Sequence, residues 1–403
     1  MSIAFRHQDA AAPAPARPPG SRSAQVITLL LRARTLIVLG LVIAVFAGLS
    51  SSYLTVSNLE LMTQHASINA ILAVGVTFVI LTGGIDLSVG SIAGLVGMVA
   101  GGLLYEGFPL PGGSAIFFST GVVILIGLLI GAGTGAVNGI VVTRFSVAPF
   151  IVTLGTQYAI RGFAELLSNG ATFPDLGGSA KLGTTGFDVI GGGDVLGLPT
   201  QIWLMLIIGV VATVVAMKTP FGRRVYAVGG NARAAELSGV RTHRVTISVY
   251  IISGTCAALA GLILTSQLGA AFPSTATGYE LNAIAAAVLG GTSLAGGQGS
   301  IPGTIVGAFI IGFLNDGLVL INVSSFWQQV VIGIVIVLAV IFDQAQRRLS
   351  ISISRRLPGG SASPGNSKRR DDSNEGVRKN KTGHLPCGRS DGSRARGSRV
   401  QQQ

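Results

Sequence analysis

The run Ile116-Phe-Phe-Ser-Thr-Gly-Val-Val-Ile-Leu-Ile-Gly-Leu-Leu-Ile130 is continuously apolar, as is Val330-Val-Ile-Gly-Ile-Val-Ile-Val-Leu-Ala-Val-Ile-Phe342. Neither alternates polar with apolar, as the roughly ten-residue strands of a transmembrane barrel would. Both therefore read as helices in lipid. Of the 403 residues, 49% are hydrophobic and 11% charged, whereas a soluble domain carries about a quarter charged residues. Aromatics make up only 6%, and there are 58 glycines. That mixture of small and aliphatic side chains lets helix backbones approach closely where packing must replace the hydrophobic effect. The expected fold class is an all-α polytopic membrane protein.

Against the roughly 20 residues needed to span a bilayer, apolar runs fall at 35–49, 62–82, 88–104, 115–140, 147–167, 201–217, 246–268, 281–293, 301–321 and 326–343. That predicts about ten transmembrane helices. Residues 1–34 read as a disordered arm, 35–343 as the membrane body and 344–403 as a disordered tail. A cleaved leader fits poorly, because Ala47 to Ser52 makes only a weak small-residue cleavage site. The net charge of +12 would suggest nucleic acid if it were spread over the body. However, residues 344–403 hold 14 Lys/Arg and 4 Asp/Glu and so carry +10 of it. The charge reads as a solvated tail near anionic membrane lipid, with no nucleic-acid partner. Cys256 and Cys387 have no metal-ligand spacing.

Orientation follows from Lys and Arg. With the N-terminus inside, Arg144, Lys218, Arg223, Arg224, Arg233, Arg241 and Arg244 fall on the inside, and Lys181 is left in the outside loops. Both termini are then cytoplasmic. Tyr53, Tyr105, Trp203 and Trp327 fall at the outer interface of the same scheme.

A repeat marks the interior. Ile68-Asn69-Ala70-Ile71, Gly83-Gly84 and Gly90-Ser91-Ile92-Ala93-Gly94 are echoed by Leu281-Asn282-Ala283-Ile284, Gly290-Gly291 and Gly299-Ser300-Ile301-Pro302-Gly303. Each copy is a helix, a glycine turn and a helix, and the helix count gives both the same orientation. The later first helix, about 13 residues, is below the roughly 17 needed to span. Broken helices at matching positions of two halves point to a transport pathway, because unwound backbone survives in lipid only where protein or water satisfies it. The alternative is chance similarity between Gly/Ala-rich helices.

Asp86, with Ser88 close by, sits in the first glycine turn. A carboxylate there needs partners, since an unpaired charge in hydrocarbon costs about 3 kcal/mol or more. It either caps the following helix through backbone N–H groups or contacts solute in the pathway. Asp316, late in the 301–321 helix, and Glu280, at the mouth of the 281–293 helix, are the other candidate acids, with Asn282 and Thr292 beside them. Gly127, Gly131, Gly135 and Gly139 form a stripe that reads as a packing face.

In the loop 218–244, Asn231 to Gly239 reads as a short helix: Asn231 suits the N-cap and Gly239 the position after the end. A two-turn helix has no stability of its own in water, so it suggests docking to a partner; the alternative is a solvated connector. No phosphate loop is present, because Gly290 to Gly299 lacks the required Lys, and no nucleophile elbow or zinc motif occurs. The chain has no catalytic constellation and no cofactor site of its own.

Three stretches carry a likeness to a known family: Leu72 to Ile80 through Gly83-Gly84-Ile85-Asp86-Leu87-Ser88-Val89-Gly90; Tyr226-Ala227-Val228-Gly229-Gly230-Asn231; and Gly278-Tyr279-Glu280-Leu281 through Gly290-Gly291-Thr292-Ser293-Leu294. Together they resemble the ribose-type sugar permeases of bacterial ABC importers, over about residues 35–343. The resemblance implies an inner-membrane subunit that pairs with a second permease, as a homodimer. It also implies a monosaccharide delivered by a periplasmic sugar-binding protein and a cytoplasmic ATPase that holds ATP and Mg. By the same likeness, Gly230, Asn231, Ala234, Ala235, Leu237, Ser238 and Gly239 form the segment that couples to the ATPase. The resemblance has three departures: the family usually has Asp where this chain has Asn282 and Asn where it has Asp316, and the long basic tail has no counterpart in the family pattern. Rival readings are a permease for branched-chain amino acids or another small polar solute, and an ion-coupled transporter using Asp86 and Asp316.

Overall fold

A helix pairs every backbone N–H and C=O within its own segment, the condition for crossing hydrocarbon without a partner strand. The computed structural model describes residues 22–356. Its helices are α1 Arg22–Leu49, α2 Val56–Leu81, α3 Val89–Tyr105, α4 Thr120–Arg144, α5 Pro149–Leu166, α6 Asp188–Gly192, α7 Thr200–Lys218, α8 Pro220–Gly230, α9 Ala232–Leu237, α10 Thr242–Leu268, α11 Tyr279–Leu289, α12 Ile301–Leu320 and α13 Ser325–Arg356. Two-residue antiparallel ladders join 108–109 to 115–116 and 194–195 to 198–199.

Each expected run is occupied by a helix, and five of them (α2, α4, α7, α10 and α12) are long and apolar enough to cross a membrane. The differences lie at the ends. Helix α4 starts at Thr120, because Ala115 and Ile116 pair in a ladder instead. Helix α11 stops at Leu289, where Gly290 and Gly291 open a turn. The segment 220–230, expected as loop, is helix α8: the Thr219 hydroxyl accepts from Gly222 N–H at 3.2 Å and Pro220 occupies the first turn. Helices α1 and α13 extend into the expected arm and tail, whose residues 1–21 and 357–403 lie outside the described ones.

Helix α10 is the hub, packed against α4, α2 and α3. The glycine stripe of α4 does what its spacing predicts. A Cβ on Gly131 or on Gly254 would strike the other's carbonyl oxygen, one on Gly135 would strike that of Tyr250, and one on Gly139 would lie 2.7 Å from Ile247 Cα. Helix α2 lies in the middle, buried from Ala66 to Leu81 between α10, α11 and α12.

Between α10 and α11 the chain leaves helical geometry. Ala271 bridges to Phe173, then Arg161 of α5 donates to the carbonyls of Pro273 and of Thr275, the latter at 3.0 Å. The segment follows a row of small residues on α3: Ala271 touches the Gly101 position, Thr275 that of Gly94 and Ala276 that of Gly90. Eleven helical residues separate Gly101 from Gly90, so it descends about 16 Å along the bundle. A descent through successive turns, with Thr275 N–H on Phe272 O, Thr277 N–H on Ser274 O and Tyr279 N–H on Ala276 O, followed by an 11-residue helix is the broken span expected at this place.

The cations gather as expected: Arg144, Lys218, Arg223, Arg224, Arg233, Arg241 and Arg244 lie at the end of the body that carries α9. At the opposite end Tyr105 and Trp327 are exposed, and the Trp203 indole donates to Val195 O at 2.9 Å. Tyr53 corrects the belt reading. It is fully buried, stacks on Phe46 with ring centroids 5.5 Å apart and donates to Phe313 O at 3.0 Å, so its ring belongs to the core.

Candidate functional site

The short helix α9 is built as its sequence dictates. Asn231 Oδ1 accepts from Ala234 N–H at 3.0 Å, which closes the N-terminus. Gly239 takes φ +84°, so that its own N–H reaches Glu236 O at 2.9 Å and the next N–H, of Val240, reaches Ala235 O at 3.0 Å. Ala235 is buried and holds α9 to the body, while Leu237 is 77% exposed on its outer side. Gly230, Ala234 and Ser238 are exposed around it. Beside the end of α9 lies a cavity of about 420 Å³ lined by Phe221, Arg224, Ser238, Arg241 and Arg244. An apolar tip next to three arginines suits a partner surface that offers an apolar socket flanked by carboxylates.

Helix α8 carries α9, and its end is wedged against both glycine turns of the repeat. A Cβ on Gly229 would strike Leu81 O, and Leu81 O itself accepts from Gly297 N–H at 2.9 Å. A Cβ on Gly296 would fall 2.9 Å from Gly83 N and 3.0 Å from Gly229 O. Tyr226 of α8 donates to Gly299 O at 2.9 Å, and burial pushes its phenol above the ordinary tyrosine range, so the proton stays in place. The turn after α2 and the turn after α11 therefore meet each other and α8 at one node. Both turns follow the C-terminal ends of their helices at the same end of the body, so the two copies of the repeat run the same way, as the helix count predicts.

The predicted interior residues divide among four places. Asp86 is fully buried: Oδ1 accepts from Ser88 N–H at 3.0 Å and from Ser88 Oγ at 2.6 Å, and Oδ2 accepts from Ser253 Oγ at 2.8 Å. Asn138 donates to Ser88 Oγ at 2.8 Å. This network ties the first turn to α4 and α10. Thr292 lies in a hydroxyl row, 3.4 Å from Thr304, which is 2.9 Å from Thr77. Glu280 accepts from Gln157 Nε2 at 3.0 Å, and its other oxygen is buried against the Gly90 position. Asn282 and Asp316 share a cavity. It measures about 300 Å³ and also takes in His65, Asn69, Tyr279 and Asn315, and His65 Nδ1 lies 3.0 Å from Asp316 Oδ1.

Sequence reading passes over His65, Asn69, Asn315, Asn138 and Ser253. A signal exists for the first two: they are four apart on α2 and so share a face. Ser253 and Asn138 carry none, because what makes them partners of the Asp86 turn is tertiary packing.

The family model for the branched-chain amino acid transport system / permease component matches residues 58–340. The chain is 41% identical over 326 residues to the ribose import permease protein of Haemophilus influenzae, covering 79% of this chain and 95% of that one. It is 43% identical over 305 residues to the ribose import permease protein of Bacillus subtilis, covering 75% and 90%. Against the xylose transport system permease protein of Escherichia coli K12 the identity is 36% over 355 residues, covering 74% and 88%. No solved structure matches the chain. With the family pattern running through the helices, the two glycine turns and the α8–α9 arm alike, this chain belongs to the permease-component family of the branched-chain amino acid transport systems.

Proposed function

We propose that the chain is the membrane-embedded permease subunit of an ATP-driven, binding-protein-dependent importer of a monosaccharide of the ribose and xylose kind. The observation that carries this reading is the node at Gly229, Gly83 and Gly296, where the arm bearing α9 abuts both broken-helix turns. Force applied to α9 from outside the membrane reaches both halves of the interior through backbone contacts, with no long side chain to absorb it. The chain does no chemistry; ATP and Mg sit on a separate ATPase, and the residues from Gly230 to Gly239 are its seat. Leu237 enters an apolar socket, and Arg224, Arg241 and Arg244 face carboxylates.

The cation-rich end is cytoplasmic by the asymmetry of Lys and Arg. Both termini then face the cytoplasm of a bacterial inner membrane, with ten helices threading it. A second permease, taken as another copy of this chain, completes the pathway, and a periplasmic sugar-binding protein delivers solute at the opposite end. Asn282 and Asp316 stand on the solute path, while Asp86, Ser88 and Thr292 hold the turns in shape. A sugar is preferred over a branched-chain amino acid because the relatives named above are sugar permeases, and because the shared cavity is lined mainly by amides and a carboxylate. Ion coupling through Asp86 is disfavoured, since both its oxygens are occupied by hydroxyl and amide donors.

The test is reconstitution in lipid nanodiscs with the ATPase and binding protein from neighbouring genes. ATP hydrolysis should rise with the binding protein loaded with ribose or xylose. In proteoliposomes, uptake should stop on ATP depletion and persist when the proton gradient is collapsed. Uptake that follows the proton gradient and ignores ATP would overturn the reading.

A further inference from the structure

We propose that the cavity shared by His65, Asn69, Asn282, Asn315 and Asp316 is a binding subsite for a polyhydroxylated solute, read by the permease itself through acceptors that the ligand's hydroxyls satisfy. The inference rests on the monosaccharide reading above and adds to it the place and chemistry of recognition. Three oxygens of the lining residues are buried without any partner: Asn69 Oδ1, Asn315 Oδ1 and Asp316 Oδ2. Asn69 itself is 5% exposed. An unpaired polar atom of this kind costs about 1–3 kcal/mol, and three in one cavity of a membrane bundle are not explained by packing. All three are acceptors sealed from the open part of the cavity, so a donor reaches them only as the lining opens around it.

The geometry narrows the donor. Asp316 Oδ1 is engaged by His65 at 3.0 Å, which leaves Oδ2 as the free side of a carboxylate already fixed in place. Asn69 is held through its amide nitrogen, which donates to His65 O at 3.3 Å, so its oxygen is the end on offer. Several acceptors fixed from α2 and α12 around a volume of about 300 Å³ suit a small ligand carrying several O–H groups. They suit an amino acid less: its ammonium could meet Asp316, but no free cation among the described lining residues would receive its carboxylate. Val319 and Ile332 are aliphatic members of the lining, too little apolar surface to seat a branched side chain. By holding Oδ1, His65 positions the carboxylate and does not itself need to touch the solute.

A thiol reporter tests this without relying on transport. Ser325, exposed on the cavity wall at the start of α13, is replaced as Ser325→Cys in the full chain in which Cys256→Ala and Cys387→Ala remove the native thiols. The chain is held in nanodiscs, and the rate of reaction with a small charged thiosulfonate is measured with ribose, xylose, glycerol or leucine present. A pentose should slow labelling about threefold at twice its dissociation constant, by simple occupancy. Leucine should leave the rate unchanged. Asn69→Leu, and separately Asn315→Leu in case the first fails to fold, should abolish the protection. Absence of protection by any polyol, with ATP-driven pentose uptake intact in proteoliposomes, would overturn the subsite and spare the importer reading. Protection by leucine alone would overturn both, and protection by a pentose in a chain that transports no pentose would uphold the subsite and overturn the importer.

Discussion

Asp86 illustrates how one side chain's meaning is decided by what surrounds it. In the sequence it is a carboxylate between apolar helices, read first as a cap and alternatively as a contact for solute. In the structure its partners are Ser88, through both N–H and hydroxyl, and Ser253. It binds the first turn to α10, and through Ser88 to Asn138 on α4. Hydrogen bonds between helices in lipid contribute about 0.6 kcal/mol on average and up to about 1.7. Asp86→Ala, which strips three donors of their acceptor, should therefore destabilise the bundle by about 1–3 kcal/mol. Asp86→Asn should cost less, because its remaining oxygen still accepts. Thermal midpoints in detergent should rank wild type above Asp86→Asn above Asp86→Ala, with uptake per folded molecule preserved in the Asn variant. Unchanged midpoints together with lost uptake would move Asp86 from scaffold to pathway.

At the scale of elements, the α4 stripe and the α9 cap are both legible in the sequence. The stripe Gly127 to Gly139 predicted a close helix contact, and the α4–α10 crossing places Gly131 against Gly254, backbone to backbone. The α9 cap was legible because Asn231 and Gly239 are local signals: their hydrogen bonds close within a few residues. Helix α8 was not, since Pro220 and the paired arginines after it look like loop until Thr219 is seen to cap them. For α9 the expected outcome is specific. Gly239→Val puts a β-branched residue at φ +84°, at a cost of about 1–3 kcal/mol, in a helix that has no stability of its own. Membrane insertion and yield should be normal, while the ATPase recovered per permease on co-purification should fall about tenfold, the equivalent of about 1.4 kcal/mol. Normal ATP-driven uptake by this variant would show that α9 is a connector.

The whole molecule adds what neither residue nor element contains. The node links α8 to the turns after α2 and α11 through glycine backbones, and Gly229 and Gly296 leave no room for a Cβ. Gly229→Val should wedge it apart. The complex should still assemble through α9, but ATP hydrolysis should lose its response to the loaded binding protein. Tyr226→Phe, which removes only the bond to Gly299 O, should weaken coupling several-fold without abolishing it. A normal response in both variants would show that motion reaches the interior by another route.

The sequence by itself determined the membrane class, the helical runs, the broken span, the glycine packing face, the capped helix and the family. These depend on composition, on periodicity and on hydrogen bonds between near neighbours, all local in the chain. Tertiary structure alone decided that Asp86 and Asp316 serve in different places, that Tyr53 faces the core, that Arg161 supports the unwound segment from another helix, and that His65, Asn69 and Asp316 share one cavity. Each of those joins residues far apart in sequence. In lipid, where apolar burial does not choose between helix faces, the pairing of polar groups and the fit of small residues make that choice, and neither can be read from one segment at a time.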